Sequence, residues 1–262
     1  MTEPTMEPLK RVVKLGGRAQ SASSLAPMIA SAWNASNAMC VVHGGGDEIS
    51  ALQRKLGGEP KFTGGRRVTT LQDLDIIRMV LSGVVNKRLV SLFNAAGASA
   101  VGISGEDASL IAAKPLGIPE FGYVGMPVSI NTSLIETLWL AGLLPVVSPL
   151  GANAETPGTA LNVNGDDAAA AIAVALGADE LLFVADVEGV LDSSGCVIDQ
   201  LDVDEARALI ASGIAAGGMA AKLEAAYAAL AGGVRSVRIA DIDALGESGR
   251  GTFITLATAG AK

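Results

Sequence analysis

The sequence predicts an α/β protein with a mainly parallel central sheet. Short apolar runs typical of buried strands alternate with helix-like segments along nearly the whole chain, which is the pattern of βαβ units. Half of the 262 residues are hydrophobic, only 3% are aromatic and 32 are glycines, a composition suited to tight turns and Ala/Leu/Val packing. No linker-like stretch interrupts the pattern, so we expect two lobes that meet near residues 150–160.

Strands and helices alternate strictly in the first part of the chain. The runs "RVVKL" and "MCVVH" have the length and composition of buried strands. The longest helical pattern contains Gly83, which we expect to break or bend it. In chain order the predicted elements are a strand at 11–15, a helix at 23–33, a strand at 39–43, a helix at 48–57, a turn-rich stretch at 62–70 and the helical region 71–97.

The alternation continues from residue 99 with one exception. Gly and Pro crowd the pattern "PEFGYVGMPVSIN" within residues 114–133, which predicts a hairpin that projects from the main sheet. Gly142 is typical of a helix C-cap. The other predicted elements are strands at 99–104 and 144–151, a helix at 133–142, a strand ending within 159–167, a helix at 168–176, a strand at 181–186, helices near 204–212 and 218–231, and strands at 235–240 and 252–256.

Charge and cysteine content disfavour several classes of function. The net charge of −8 disfavours nucleic acid, whose phosphates require a basic face. Two cysteines, Cys40 and Cys196, are too few for a disulfide framework and are expected to be buried free thiols, and one histidine without a CxxC motif predicts no metal site. The segment "MTEPTMEPLKR" has no signal-peptide core, and the near-apolar stretch 168–178 is far shorter than the roughly 20 residues of a membrane span. We therefore expect a cytoplasmic protein without a membrane partner.

Glycines are concentrated in four turns: Gly16–Gly17, Gly44–Gly46, Gly64–Gly65 and Gly217–Gly218. Glycine lets the backbone approach a ligand closely, and N–H groups at the start of a helix bind anions. A single pair is ordinarily just a tight turn between strand and helix, but four such turns near isolated basic residues favour an anion site. Neither GxxxxGK[ST] nor a GxGxxG after a strand is present, so the glycines do not form a standard nucleotide fingerprint.

Six charged residues accompany these turns: Lys14, Arg66, Arg67, Asp166, Asp167 and Lys222. Lys14 interrupts an apolar run, where a charge is costly to bury without a partner or a role. Each residue also has an ordinary structural explanation, such as a snorkelling or solvated lysine, a surface arginine or a helix N-cap aspartate. The residues alone therefore predict a small-anion site and no more.

Six motifs of this chain resemble those of the amino acid kinase family in order and spacing: "KLGG", "VVHGGG", "GRRVT", "NVNGDDAA", "LFVADVEGVLD" and "GGMAAK". The resemblance runs from about residue 10 to 256 and implies a three-layer αβα sandwich. Within the family, the chain is most similar to the members that use ATP to phosphorylate the side-chain carboxylate of N-acetyl-L-glutamate to an acyl phosphate, the second step of arginine biosynthesis. The implied cofactors are ATP and Mg²⁺ carried by the nucleotide.

The resemblance also implies a role for each site residue. Lys14 and Lys222 flank the transferring phosphoryl group, and Asp166 orients both lysines. Backbone N–H groups of Gly17 and Gly45 face the phosphoryl oxygens. The acceptor is held by Gly45, Gly46, Arg67 and Asn162, with Arg67 on its α-carboxylate. The nucleotide contacts are Asp186, Val187, Glu188, Gly189, Val190, Leu191, Ile214, Ala215 and Ala216.

No general base is required by this chemistry. A carboxylate acceptor with a pKa of about 4.3 is already ionised at neutral pH. The single histidine, His43, is therefore expected to be structural.

The implied division assigns residues 1–155 to a lobe for acceptor binding and dimerisation and residues 156–262 to an ATP-binding lobe. The helical region around 74–96 is the expected dimer surface. Arginine-inhibited hexamers of the family have a longer N-terminal helix, whereas only about ten residues precede the first strand here. This difference predicts an arginine-insensitive homodimer.

Alternative functions remain open at this point. A family member of lysine biosynthesis phosphorylates a carrier-linked aminoadipate, usually with an Arg-Tyr-Thr turn where this chain has "RRVT". A non-catalytic amino-acid or nucleotide sensor would be expected to lose Lys14, Lys222 or Asp166. Carbamate and uridylate kinases share the fold but fit "GRRVT" and "NVNGDD" less well. Two departures from the family pattern are Gly165, where relatives often have Ala, and the additional arginine Arg66.

Overall fold

The structure, a computed structural model, describes residues 8–256. Residues 1–7, on which part of the localisation prediction depends, and the extreme ends of both predicted lobes lie outside this range. The strands are β1 (Arg11–Leu15), β2 (Met39–His43), β3 (Phe62–Thr63), β4 (Arg66–Arg67), β5 (Ala100–Ser104), β6 (Ile111–Pro115), β7 (Val124–Ile130), β8 (Leu144–Ser148), β9 (Leu150–Asn153), β10 (Ala160–Val163), β11 (Glu180–Val184), β12 (Gln200–Asp202), β13 (Ser236–Ala240) and β14 (Thr252–Thr255). The α-helices are α1 (Leu25–Ser36), α2 (Gly46–Lys55), α3 (Leu71–Arg78), α4 (Asn86–Ala95), α5 (Thr132–Leu140), α6 (Gly165–Leu176), α7 (Val203–Ala211) and α8 (Gly218–Ala231).

The main sheet has eight strands in the order β12-β14-β13-β11-β1-β2-β8-β5. All neighbours pair in parallel except β13 and β14, so the predicted mainly parallel sheet is confirmed. Strand β1 lies between β11 and β2, with Arg11 in register with both Glu180 and Met39. The carboxyl ends of these three strands therefore meet at one edge of the sheet.

Alternation along the strands divides the core between the two faces of the sheet. Val12 and Phe183 pack in one apolar cluster with residues of α6 and α8, such as Leu223. Val13 and Leu182 pack in another with residues of α1 and α4. Because successive side chains of a strand face opposite sides, this arrangement confirms the three-layer αβα sandwich.

A second, four-stranded closed barrel adjoins the main sheet, in the order β10-β7-β6-β9. Its β6 and β7 pair antiparallel as a hairpin, but this hairpin begins at Ile111, before the predicted range 114–133, and it belongs to the barrel instead of projecting from the main sheet. The single strand predicted at 144–151 is wrong, because β8 belongs to the main sheet and β9 to the barrel. The two strands are separated by Pro149, which has no N–H to donate to a continued ladder.

The region 71–97 stays helical through Gly83, so the expected break is wrong, but the segment around Gly83 is not regular α-helix. A π-helical segment, Met79–Val85, joins α3 directly to α4. Leu81 and Val85 of this segment are buried and lie against the backbone of Gly45, where an added Cβ would come within 2.7 Å of Leu81 Cδ2. Tertiary packing therefore overrides the low helix propensity of a single glycine.

Two further predictions concern the surface. Cys40 is buried as expected, but Cys196 is exposed because it lies in a turn and not in the core. Within residues 8–256 none of the helices is both long and apolar enough to cross a membrane.

Candidate active site

The candidate active site lies at the carboxyl ends of β1, β2 and β11. Two glycine turns extend the pairing by one residue, since Gly16 N donates to Val184 O at 3.0 Å and Gly44 N donates to Leu15 O at 3.0 Å. Beyond these bonds the chains separate and leave space between the strand ends. Ligands of open parallel sheets bind in crevices of this kind, at the carboxyl edge.

Two buried charges, Lys14 and Asp166, and the half-buried Lys222 form the centre of the site. Lys14 Nζ lies 2.8 Å from Asp166 Oδ1, and Lys222 Nζ lies 3.7 Å from Asp166 Oδ2. Lys14 and Asp166 are only 6% and 5% exposed. Each carboxylate oxygen faces one lysine, so the trio has a net charge of +1. The structure thus brings together the three residues predicted to be catalytic.

Local sequence explains how Asp166 reaches this position. The N-cap of α6 is Asn164, whose Oδ1 accepts hydrogen bonds from Asp166 N at 2.7 Å and Asp167 N at 3.4 Å. The alternative that an aspartate caps this helix is therefore wrong, and both aspartates occupy its first turn. Gly165 lies beside Lys14, where an alanine Cβ would be 3.3 Å from Lys14 Cε, so alanine would require only a small shift.

Lys222 is less well compensated than Lys14. It lies on the first turns of α8, and its side chain is 13% exposed. Burial, and next the charge of Lys14, lower the pKa of Lys222 from its ordinary value, while Asp166 opposes this shift. A bound anion beside Lys222 would stabilise its charged form.

Lys222 opens onto a cavity of about 270 Å³. Gly16, Gly17, Gly46 and Asp186 also line this cavity. It combines the two glycine turns with one lysine, as a site for phosphoryl oxygens requires. We call it the phosphoryl cavity.

A neighbouring cavity of about 170 Å³ is lined by Gly45, Gly46, Arg67, Asn162 and Gly165, among others. Gly46 lines both cavities, so the two spaces adjoin there. We call the second space the acceptor cavity. It contains the four residues that the sequence predicted for the acceptor.

Arg67 is a buried cation that forms no ion pair with a carboxylate of the described residues. Its guanidinium donates to Gly46 O at 2.9 Å, to Ser50 Oγ at 2.8 Å and to Gln53 Oε1, and it stacks over Phe62. Within residues 8–256, no Asp or Glu oxygen lies within 4.0 Å of it. Burial lowers the pKa of Arg67, yet arginine remains charged at neutral pH. The acceptor cavity therefore contains a positive charge that an anionic ligand would compensate.

Sequence reasoning missed the residues that hold Arg67. Gln53 Nε2 donates to Asp73 Oδ1 at 2.6 Å, so a chain of hydrogen bonds fixes Gln53 against Arg67. Ser50 and Gln53 are buried on α2 beside Ile49. Gln53 lies four positions after Ile49, on the same face of α2. This spacing was the sequence signal that could have placed Gln53 towards the interior.

Two helices, α2 and α6, begin at the acceptor cavity, and α8 begins about one turn before Lys222. The N-caps of α2, α6 and α8 are Gly45, Asn164 and Gly217. Gly217 has φ 55° and ψ −119°, a conformation that favours glycine. Helix N-termini carry partial positive charge and free N–H groups, so all three favour anions in this region.

The predicted nucleotide residues are only partly at the phosphoryl cavity. Asp186 lines it and accepts a hydrogen bond from Arg18 at 3.0 Å. The pair with Arg18 is the main cause that lowers the pKa of Asp186. The other eight predicted nucleotide residues line neither cavity. They lie on the turns that follow β11 and α7: Val187, Glu188, Gly189, Val190, Leu191, Ile214, Ala215 and Ala216. Of these, Val190 and Ala215 are core residues.

His43 lies behind the site, and both of its ring nitrogens have hydrogen-bond partners. Asn86 Nδ2 donates to Val146 O at 2.9 Å and to His43 Nε2 at 3.1 Å, which leaves the proton on Nδ1 to donate to Gly44 O at 3.0 Å. His43 is completely buried. Burial is the main cause that lowers its pKa from 6.5 to about 4. These contacts support the structural role expected for His43.

The buried His43 predicts a specific loss of stability in acid. Its unfolded-state pKa is 6.5 and its folded-state pKa about 4. Between these values the unfolded chain binds a proton that the folded chain does not, so the free energy of unfolding falls as pH falls from 6.5 to 4. We expect a loss of roughly 3 kcal/mol across this window. Urea unfolding at several pH values measures it.

His43→Gln is the matched control for this prediction, because it removes the titrating ring. The difference in stability between wild type and variant should shrink as the pH falls. A difference that stays constant with pH would contradict the prediction. NMR titration of the single histidine provides a direct check.

Comparison with known proteins agrees with the geometry. A model of the amino acid kinase family matches residues 10–241. An acetylglutamate kinase of Paracoccus denitrificans is 51% identical over 201 residues, which cover 77% of this chain and 66% of that protein, slightly less than two thirds. Another, of Ruegeria pomeroyi, is 44% identical over 234 residues and covers 88% of this chain and 80% of that protein.

Solved structures with the same fold include two that cover nearly all of this chain. The crystal structure of smu.665 from Streptococcus mutans UA159 has a TM-score of 0.83 at 30% identity and covers 94% of this chain and 98% of that one. An N-acetylglutamate synthase from Neisseria gonorrhoeae, complexed with coenzyme A and N-acetyl-glutamate, has a TM-score of 0.79 at 24% identity and covers 94% of this chain and 59% of that one. The second likeness shows the fold alone. Together with the family match, these relatives show that the chain belongs to the amino acid kinase family.

Proposed function

We propose that this chain transfers the terminal phosphoryl group of ATP to the side-chain carboxylate of N-acetyl-L-glutamate, which forms an acyl phosphate for arginine biosynthesis. One observation carries the proposal. The acceptor cavity, with the uncompensated cation Arg67, adjoins the phosphoryl cavity at Gly46, and both lie beside the Lys14–Asp166–Lys222 trio. Relatives named acetylglutamate kinase, at 44–51% identity, support the choice of acceptor over aminoadipate.

The reaction has to bring a carboxylate close to a polyphosphate, and these two anions repel each other. The positive charges of the site reduce this repulsion. Lys14 and Lys222 offset the charge of the moving phosphoryl group, and Asp166 holds the lysines apart on its two oxygens. The acceptor carboxylate is already ionised, so no residue has to remove a proton. Buried His43, with its pKa lowered to about 4, is consistent with this requirement.

Arg67 is the residue that we assign to the α-carboxylate of the acceptor. Its planar guanidinium suits a carboxylate, and Gln53 and Ser50 fix its orientation before any ligand binds. Asn162 Nδ2 donates to Thr69 Oγ1 at 3.0 Å. The side-chain oxygen of Asn162 is therefore assigned to bind N-acetyl-L-glutamate. Gly17 and Gly45 are assigned as backbone N–H donors to phosphoryl oxygens. Mg²⁺ would be held by the nucleotide phosphates and water, and it would neutralise part of their charge.

The division into an acceptor lobe and an ATP lobe stays a proposal. Strand β10, which follows residue 156, pairs with β7 and β9 of the barrel, and its Asn162 lines the acceptor cavity. The acceptor cavity thus takes residues from both sides of the proposed boundary. A homodimer through α3 and α4 also stays a proposal, supported by the exposed apolar side chains of Met79, Val84 and Leu92.

Hydroxylamine trapping tests the proposed reaction directly. The purified chain is mixed with ATP, Mg²⁺ and N-acetyl-L-glutamate, and hydroxylamine converts any acyl phosphate to a hydroxamate, which is detected as its coloured complex with Fe³⁺. Glutamate, aminoadipate, carbamate and UMP are assayed in parallel, with nucleotide turnover followed for the last two. We expect hydroxamate with N-acetyl-L-glutamate and little with glutamate or aminoadipate.

The alternative outcomes are distinct. Turnover with a different acceptor would overturn the substrate assignment and leave phosphoryl transfer intact. No turnover from a folded chain that binds ATP would favour a non-catalytic sensor and overturn the proposal.

A further inference from the structure

The hairpin of β3 and β4, residues 62–67, forms one wall of the acceptor cavity. Phe62, Gly65, Arg66 and Arg67 all line that cavity. Each strand of the hairpin has only two residues, and Gly64 and Gly65, both with positive φ, form the turn between them. An isolated hairpin of this size is at best marginally stable. Its position over the cavity must therefore depend on contacts with other elements.

The two adjacent arginines of β4 connect the hairpin to opposite sides of the cavity. Arg67 donates to Gly46 O and Ser50 Oγ of α2. Arg66 Nη1 donates to Asp167 Oδ2 of α6 at 2.5 Å. Neighbouring side chains of a strand face opposite ways, so a single arginine would not make both connections.

The Arg66–Asp167 pair is better shielded than an ordinary surface ion pair. Its side chains are only 22% and 13% exposed. Burial raises the pKa of Asp167, and the pair with Arg66 opposes this shift. Arg66 is thus the charge partner that favours the ionised form of this partly buried carboxylate.

The Arg66–Asp167 pair lies next to the Lys14–Asp166–Lys222 trio. Asp167 follows Asp166 in the first turn of α6, and Asp166 lies between the two lysines. The turn of the hairpin also approaches the start of α8, because a Cβ added at Gly65 would lie 3.7 Å from Gly217 O. The hairpin therefore spans from α2 to the beginnings of the two helices that carry Asp166 and Lys222.

We propose that the Arg66–Asp167 ion pair is a positioning device that holds the hairpin closed over the acceptor cavity, and so sets the affinity for the acceptor through Arg67. Neither residue has to touch the substrates for this role. The identity of the acceptor rests on the function proposed above, whereas the closure of the hairpin does not.

Kinetics of Arg66→Gln and Asp167→Asn test the effect on the acceptor. We expect each variant to raise KM for N-acetyl-L-glutamate by about tenfold, since the lost pair is partly buried and charge-assisted. KM for ATP should stay within about twofold, because the phosphoryl cavity is lined by other residues. The double variant should be no worse than either single one, as expected for residues that act as a pair. Arg66→Lys, which keeps the charge, should restore part of the affinity.

Hydrogen exchange tests closure without relying on activity. Amides of residues 62–67 should exchange faster in both variants of the pair, whereas amides of β1 should not change. Arg235→Gln is the matched control, because it removes the 2.7 Å pair with Asp179 at the opposite end of the strands. That variant should leave both KM values and the hairpin exchange rates unchanged.

Each outcome bears on the proposal separately from the function. Unchanged hairpin exchange in both variants would overturn it even in a chain that turns over no acceptor. Faster hairpin exchange with an unchanged KM for N-acetyl-L-glutamate would also overturn the proposal. Equal rises in KM for N-acetyl-L-glutamate and for ATP would overturn it as well. In both cases the ion pair would stabilise the structure without positioning the acceptor. If the wild type makes no hydroxamate while the variants still loosen the hairpin, the function fails and the closure stands.

Discussion

Lys222→Ala is expected to lower kcat by roughly 10²–10³-fold, the usual effect of removing one preorganised donor to a developing charge. Lys222 lines the phosphoryl cavity and lies 3.7 Å from a carboxylate oxygen of Asp166. Burial, and next the charge of Lys14, lower the pKa of Lys222, so a bound anion would favour its charged form. The phosphoryl group would supply that negative charge most strongly in the transition state. Steady-state kinetics with both substrates saturating measures the loss.

Lys114→Ala, at an exposed lysine of β6, serves as the control and should retain full activity. Lys222→Arg keeps the charge but replaces the compact ammonium by a planar fork, so it should restore only part of the rate. Near-normal turnover of Lys222→Ala would show that the assignment of two flanking lysines is wrong.

Lys14→Ala should lower kcat by a similar roughly 10²–10³-fold factor, and we expect it to destabilise the fold as well. Lys14 is almost fully buried against Asp166 at 2.8 Å. Its removal leaves a buried carboxylate with only the more distant Lys222. We expect destabilisation at the low end of the about 3–5 kcal/mol typical of a broken buried pair. Urea unfolding therefore has to accompany the kinetics.

Arg67→Lys is expected to raise KM for N-acetyl-L-glutamate by roughly 10²-fold, while kcat at saturation changes much less. Truncating one partner of a buried hydrogen-bonded charge pair costs about 2–5 kcal/mol. Lysine keeps the positive charge but lacks the fork that would bind a carboxylate with two parallel bonds. It also cannot reproduce the contacts to Gly46, Ser50 and Gln53 at the same time.

Arg54→Lys provides the control on the same segment of chain, since Arg54 is exposed at the end of α2. KM for ATP should be unaffected in both variants. If Arg67→Lys bound the acceptor as tightly as the wild type, the α-carboxylate would have to be held elsewhere. Thermal unfolding would separate this effect from simple loss of folding.

The sequence was most informative where local pattern and tertiary structure agree. "RVVKL" and "MCVVH" are apolar on both faces, and the structure places both strands inside the parallel sheet with helices on each side. Alternation also places Lys14 on the same face as Val12, which is the face that α6 covers. A lysine in a buried run therefore indicated a partner, although the identity of that partner came from the family resemblance.

The wrong or missing predictions depend on contacts between residues that are far apart in the sequence. The strand break at Pro149 is hidden in a continuous apolar run, because β8 and β9 are both buried although they belong to different sheets. The pairing of Arg66 with Asp167 joins residues 101 positions apart. Asn164 was overlooked as N-cap because two aspartates follow it, and all three residue types cap helices well.

The position of β1 between β2 and β11 has a consequence for biosynthesis of the chain. Strand β2 follows β1 closely, but β11 is made only after most of the chain has left the ribosome. Until then one edge of an apolar strand stays unpaired, and such edges invite association with other chains. Distant parallel pairing also slows folding. When β11 pairs with β1, this edge is covered and the turn that carries Asp186 reaches the phosphoryl cavity, so this wall of the candidate site forms only after β11 has been synthesised.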